Sequence, residues 1–186
     1  MPNWCENELR VEGNKEDLQK FKKFAESEGS VLNHNNFIPY PKKFKELDKK
    51  AEVWLKKADE LAKKHKAKNW YSLPIELREK FEKENGKEPK DGFNQGGYEW
   101  CNDKWGTKWG ICEPVLDEFE TELLYRFDTA WSPPTPIIIK MSEMFPKLEF
   151  ELRYFEGGMG FNGLFICKGG EIKRNSCSDY FGDRGG

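Results

Sequence analysis

The sequence predicts an α+β fold, a split βαβ sandwich whose helices cover one face of an antiparallel sheet. Two observations predict it. Short stretches alternate apolar and polar residues with the period of a half-buried strand, and between them lie stretches with the 3-4 spacing of an amphipathic helix. Their order is βα, then a Lys-rich segment, then ββα and ββ, the succession of a split βαβ sandwich with an insertion. The chain has 186 residues, the size of one domain at about 100–200 residues each. Residues 1–186 are therefore expected to form a single domain, with 42–91 as a helical, Lys-rich insertion.

The opening strand sets Cys5, Asn7, Leu9 and Val11 on one side and Glu6, Glu8, Arg10 and Glu12 on the other. Gly13-Asn14 marks a turn, and the following helix buries Leu18, Phe21 and Phe24 and ends near Gly29. Phe37-Ile38-Pro39-Tyr40-Pro41 is an extended connection, because prolines remove backbone donors. In the insertion, Phe44, Leu47, Ala51, Trp54, Ala58 and Leu61 line one helix face. Ser72-Leu73-Pro74 starts a second helix with Leu77 and Phe81, stopped near Gly86. The stretch Tyr98–Gly110 is rich in tryptophan, and its later half is expected as a strand. Leu123, Tyr125, Phe127 and Thr129 alternate in the next strand. A helix runs from the proline cluster at Pro133–Pro136 to about Phe145. Leu148, Phe150, Leu152 and Tyr154 form a further strand, which Gly157-Gly158 turns into Phe161–Cys167, so an extra C-terminal hairpin is expected.

Composition excludes several classes. Hydrophobic residues make up 37% and charged residues 34%, yet 14 Phe and 7 Trp are too many for a disordered chain. No apolar run reaches the roughly 18–20 residues of a membrane helix. The start at Met1-Pro2-Asn3-Trp4 lacks the basic and apolar regions of a signal peptide. Five cysteines without framework spacing fit a reduced compartment, so a soluble protein of the cytoplasm is expected. The net charge is −2, which argues against a general nucleic-acid binder. That charge is uneven. Residues 42–91 hold 16 Lys and Arg against 11 Asp and Glu, and the remainder 15 against 22.

Gly158-Met159-Gly160-Phe161-Asn162-Gly163 spells a dinucleotide fingerprint, but that site needs a helix to follow. Leu164-Phe165-Ile166-Cys167 is strand, so the glycines are a hairpin turn. Cys5, Cys101, Cys112, Cys167 and Cys177 contain no C-x-x-C pair, and His34 and His65 are isolated in segments expected to be mobile. No metal site, cofactor or histidine-dependent nucleophile is expected, and the cysteines read as small buried hydrophobes. Trp100, Trp105 and Trp109 lie close together among Asn102, Asp103, Lys104 and Lys108, and Trp131 ends a later strand. Such indoles either roof one end of the core or offer stacking and docking faces. Asn7, on an otherwise apolar face, needs hydrogen bonds and either pins a loop or walls a pocket. The opposite sheet face should carry Glu6, Glu8, Arg10, Arg126, Asp128, Glu149, Glu151 and Arg153, mixed charges unlike the aromatic platform of an RNA-binding sheet.

Several of these stretches together resemble a known family. Pro2-Asn3-Trp4-Cys5-Glu6-Asn7, Trp105-Gly106-Thr107-Lys108-Trp109, Thr129-Ala130-Trp131-Ser132-Pro133-Pro134 and Tyr154-Phe155-Glu156-Gly157 are similar to the YubB family of ferredoxin-like proteins. The resemblance spans residues 2–40 and 98–170. It implies a ferredoxin-like fold carried by phages, plasmids and related mobile elements, and no catalytic residues. The expectation is a non-catalytic binding protein that sequesters or occludes a host protein, complex or nucleotide ligand, including components of antiviral defence. Its expected binding residues are Asn7, Trp105, Lys108, Trp131 and Glu156. Two other readings are a nucleic-acid-binding accessory protein that uses the basic insertion and the Trp-rich segment, and a small enzyme with a pocket of Asp128, Tyr154 and Glu156.

Overall fold

The structure is a computed structural model and describes residues 3–180. In chain order the elements are β1 (Trp4–Glu12), α1 (Lys15–Ala25), α2 (Lys42–Lys64), α3 (Ile75–Asn85), α4 (Gly97–Trp105), β2 (Cys112–Glu118) and β3 (Glu122–Ala130). There follow α5 (Thr135–Met144), β4 (Glu149–Glu156), β5 (Phe161–Lys168) and β6 (Glu171–Asp179). Tyr40–Tyr98 forms one compact unit and the flanking chain a second, larger one.

The larger unit is an α+β, ferredoxin-like fold. Its sheet has the order β2-β3-β1-β4-β5-β6 with every neighbouring pair antiparallel. The first four strands in that order are the split βαβ arrangement, with β1 central, and β5 and β6 extend it. Register sorts the inner face into rows. Val11, Leu123, Phe150 and Cys167 share one row and Leu9, Tyr125, Leu152 and Phe165 the next. Asn7, Phe127, Tyr154 and Gly163 follow, then Cys5, Thr129, Glu156 and Phe161. The face thus grows more polar toward the start of β1. Both helices cover this face. Phe21 of α1 meets Tyr125 and Phe150 edge-on, and the Cys167 thiol donates to the Ile138 carbonyl of α5 at 3.6 Å.

Asn14 caps α1 by accepting from the Asp17 N–H at 3.0 Å, and Glu16 and Asp17 suit its positive end. The buried stripe is Leu18, Phe21 and Ala25. Phe24, expected inside, is half-exposed because Ala25 takes the inward position, though its ring still touches Phe37 and Phe145.

The later half of the Trp-rich segment, expected as strand, is an irregular loop over residues 106–111, and the half before it is helical. Residues 97–105 form α4, because Cys101 and Trp105, four apart, bury together on one helical face. The edge strand is the later β2, whose pairing with β3 shifts between Cys112 and Val115, with Glu113 at φ +48°. That bulge and Pro114 hide the strand's alternation from a sequence reading. His34, expected in a mobile stretch, is fixed: its Nδ1 accepts the Ile111 N–H at 3.3 Å and its ring meets Trp105 at 4.5 Å. Of the cysteines, Cys5, Cys101 and Cys167 are buried, but Cys112 is partly exposed and Cys177 lies exposed on the edge strand β6.

The smaller unit folds around its own aromatic cluster. Trp54, Ala58, Ala62, Trp70, Leu73 and Phe81 form its core. The Trp54, Trp70 and Phe81 rings lie 5.1–5.4 Å apart, and the Trp54 indole donates to the Gly86 carbonyl at 3.0 Å. Along α2 the buried stripe shifts from the expected Leu61 to Ala62, and Leu47 is only half-buried. The drift is that of a 3.6-residue turn against a 3.5-residue pattern. Among the described residues no helix is long and apolar enough to cross a membrane.

Candidate functional site

The site begins where α4 ends. Trp105 is 5% exposed and its indole donates to the Ile38 carbonyl at 2.8 Å, while its ring packs edge-on against Trp100 and His34. It is a core residue that anchors the loop after it. At Gly106 (φ +75°) a Cβ would lie 2.6 Å from the Pro136 ring, so only glycine fits the turn. Fully buried Thr107 donates its hydroxyl to the Ala130 carbonyl at 2.8 Å, and Ser132 donates to the Gly106 carbonyl at 2.7 Å. These two bonds stitch the loop 106–109 to the turn 130–132.

Trp131 stands at φ +72°. For a bulky side chain this left-handed conformation costs roughly 1–2 kcal/mol. Its backbone N–H donates to the Asn3 carbonyl at 3.0 Å, and Thr129 donates to the Ser132 carbonyl at 2.8 Å. The strain is thus held by bonds on both sides of the residue. As a result Lys108 Nζ lies 4.6 Å from the Trp109 ring centroid and 4.8 Å from that of Trp131. Trp4 backs Trp109, with centroids 5.9 Å apart. Trp4, Trp109 and Trp131 remain 41%, 40% and 39% exposed.

Of the five residues expected to bind, the structure joins Lys108 and Trp131 directly. Asn7 is buried on the helix-covered face and approaches them through Thr129: its Nδ2 donates to Thr129 Oγ1 at 2.9 Å and to the Cys5 carbonyl at 2.7 Å. Its Oδ1, an acceptor, is buried with no donor among the described residues, a condition that costs about 1–3 kcal/mol. Glu156 is also buried, and its two carboxylate oxygens accept the Gly158 and Met159 N–H groups at 2.9 and 2.6 Å. It is a turn brace. Cys5, opposite Glu156 across β1 and β4, has its thiol pushed up to about 12 by burial. Sequence reasoning missed Trp4 and Trp109 as members. Trp109 carried a readable signal, standing three residues after Gly106 and just before Gly110, two turn glycines that hold a loop outward.

The other sheet face is open and forms a depression of about 950 Å³. Register places Glu6 opposite both Asp128 and Phe155, and Glu8 opposite both Arg126 and Arg153. Burial first, then the Glu6 and Glu113 charges, raises the Asp128 carboxyl above its ordinary range. Asp128 and Tyr154 both line this depression, but the side chain of Glu156 points to the helix-covered face and is spent on its own turn, so the three are not gathered in one pocket. Among the described residues no group of three His, Cys, Asp or Glu side chains is placed to hold a metal ion.

Residues 104–181 match the family model described as a ferredoxin-like domain in Api92-like protein. The match includes Lys108, Trp109 and Trp131 but covers less than half of the chain. No curated protein matches. A crystal structure of a protein api92 from Yersinia pseudotuberculosis superimposes with a TM-score of 0.54 over 98% of this chain and 99% of that one, at 11% identity. At that identity the likeness is one of fold. Neither comparison names YubB, a phage or a plasmid. The C-terminal part of this chain is thus similar to an Api92-like ferredoxin-like domain, and the whole chain shares the fold of an Api92 protein.

Proposed function

We propose that this chain is a non-catalytic binding protein of a phage or related mobile element, and that it occludes a host protein through the Trp4–Trp109–Trp131 surface. The observation that carries the reading is the strained, doubly anchored Trp131, which holds a large indole half out of the core beside two others. A buried tryptophan is common, but backbone strain kept to present one at the surface is a mark of a working site. Tryptophan is also the residue most enriched where protein interfaces concentrate their energy. The mobile-element setting rests on the YubB resemblance.

The Lys-rich α2 gives less support to a nucleic-acid reading, because Glu46, Glu52, Asp59 and Glu60 interrupt its lysines. An enzymatic reading is weaker still, since the Glu156 carboxylate is committed to its turn.

The test is affinity capture from host lysate with wild type and a Trp109→Ala, Trp131→Ala double variant, both checked for folding by circular dichroism. Mass spectrometry identifies what is retained. A protein held by wild type and lost by the folded variant is expected. A folded variant that keeps every partner overturns the reading.

A further inference from the structure

The two indoles meet on a single ammonium group. Lys108 Nζ sits over the faces of Trp109 and Trp131 at 4.6 and 4.8 Å, and the tilted Trp4 ring packs against Trp109 at 5.9 Å. An indole face carries the negative lobe of its quadrupole, so two such faces converging on one point attract a cation and reject an anion. The arrangement is built by the chain around it. Thr107 and Ser132 lock the loop to the turn, and the Asn3 carbonyl fixes the left-handed Trp131 backbone. The charge of the chain outside residues 42–91 agrees, with 22 acidic residues against 15 basic. A net acidic body draws cationic groups toward it.

We propose that Trp109 and Trp131, with Trp4 packed on Trp109, form a cage for an alkylammonium group, that Lys108 fills it in cis, and that a partner's ammonium enters by displacing Lys108. The inference deepens the binding surface proposed above and rests on it for the idea of a partner in trans. Lys108 then serves as a built-in competitor. Its long, flexible stem lets the ammonium leave for solvent when a better-fitting cation arrives. An unoccupied pair of half-exposed indole faces would instead favour nonspecific apolar contacts.

The experiment follows the Trp109 and Trp131 indole N–H signals by NMR in the full chain, with wild type and Lys108→Ser. The probes are choline chloride, Nα-acetyl-lysine methylamide and 3,3-dimethyl-1-butanol, the neutral isostere of choline. Saturable shifts with both cations are expected in Lys108→Ser, with wild type binding about tenfold more weakly because the tethered lysine competes at an effective millimolar concentration. The neutral isostere should shift neither signal saturably. Tighter binding of the lysine derivative than of choline assigns the cage to a protein side chain, and the reverse order to a free quaternary ammonium; either supports the cage. Equal binding of choline and its neutral isostere overturns it, as does equal cation affinity in wild type and Lys108→Ser. Should the amide spectrum show Lys108→Ser unfolded, Lys108→Gln keeps the stem, removes the charge and answers the same question. Choline binding without lysate capture leaves the cage standing and removes the host-protein reading. Trp-dependent capture without cation selectivity does the opposite.

Discussion

The two units use tryptophan in opposite ways. In the smaller one, Trp54 is buried edge-on against Trp70 and Phe81, and Trp70 packs tilted on Phe81. In the larger one, Trp4, Trp109 and Trp131 are half outside. The difference follows from how much core each can build. A unit of two helices has little interior, so large rings supply most of the area it removes from water. A six-stranded sheet covered by two helices fills its interior with Leu9, Leu123, Leu152, Phe150 and Ile138, all fully buried. Its surplus indoles are then available for something other than stability.

The largest effect should come from Trp54→Ala, which removes the ring at the centre of the small cluster. A loss of about 3–5 kcal/mol is expected in urea denaturation. Trp109→Ala should cost under about 1.5 kcal/mol, since its ring is already half in water. Equal losses at the two sites would break the comparison.

The next effect is a loss of stability at high pH that Cys5 carries in the larger unit. The Cys5 thiol is held up at about 12 by burial, against an ordinary 9.0, and burial also raises Tyr125. The folded state keeps these protons where the unfolded chain gives them up. The stability they contribute is whole below pH 9 and is lost as pH rises toward 12. The smaller unit contains no cysteine. Urea midpoints measured from pH 8 to 11 should therefore fall for wild type and fall less for Cys5→Ala; parallel curves would remove Cys5 from the account.

A smaller effect isolates the strain at Trp131. Glycine at that position escapes the left-handed penalty that alanine bears, so Trp131→Gly should exceed Trp131→Ala in stability by about 1 kcal/mol. A less stable glycine variant would show that no strain is held there.

The smallest concerns the open face. Glu6 and Asp128 stand directly opposite each other as like charges. Glu6→Gln should add roughly 0.2–1 kcal/mol of stability and lower the Asp128 pKa in an NMR titration. An unchanged Asp128 titration would leave burial as its whole cause.

Much of the larger unit was legible because period-2 alternation survives in β1 and through most of β3 and β4, though Leu124 and Phe155 are buried on the opposite face. The same rule placed Glu6, Glu8, Arg126, Asp128 and Arg153 on the open face, as the register confirms. Where one strand carries a bulge, as at Cys112–Val115, or a tryptophan run can satisfy either period, local pattern does not decide. α4 was missed for that reason. The site was half legible. Lys108 and Trp131 were readable as exposed chemistry near turns, whereas Asn7, Trp105 and Glu156 share their residue types with good binding residues but spend them on Cys5, Ile38 and the Gly158 turn.

By itself, then, the order of apolar and polar residues determined the α+β class, the strands that alternate and most of the apolar stripe along α2, because those depend on local spacing. Only the tertiary structure decided which tryptophans go inside. That choice depends on hydrogen bonds between distant segments, Thr107 to Ala130, Ser132 to Gly106 and Trp131 to Asn3, which no local pattern encodes. These bonds turn two indoles outward onto one lysine.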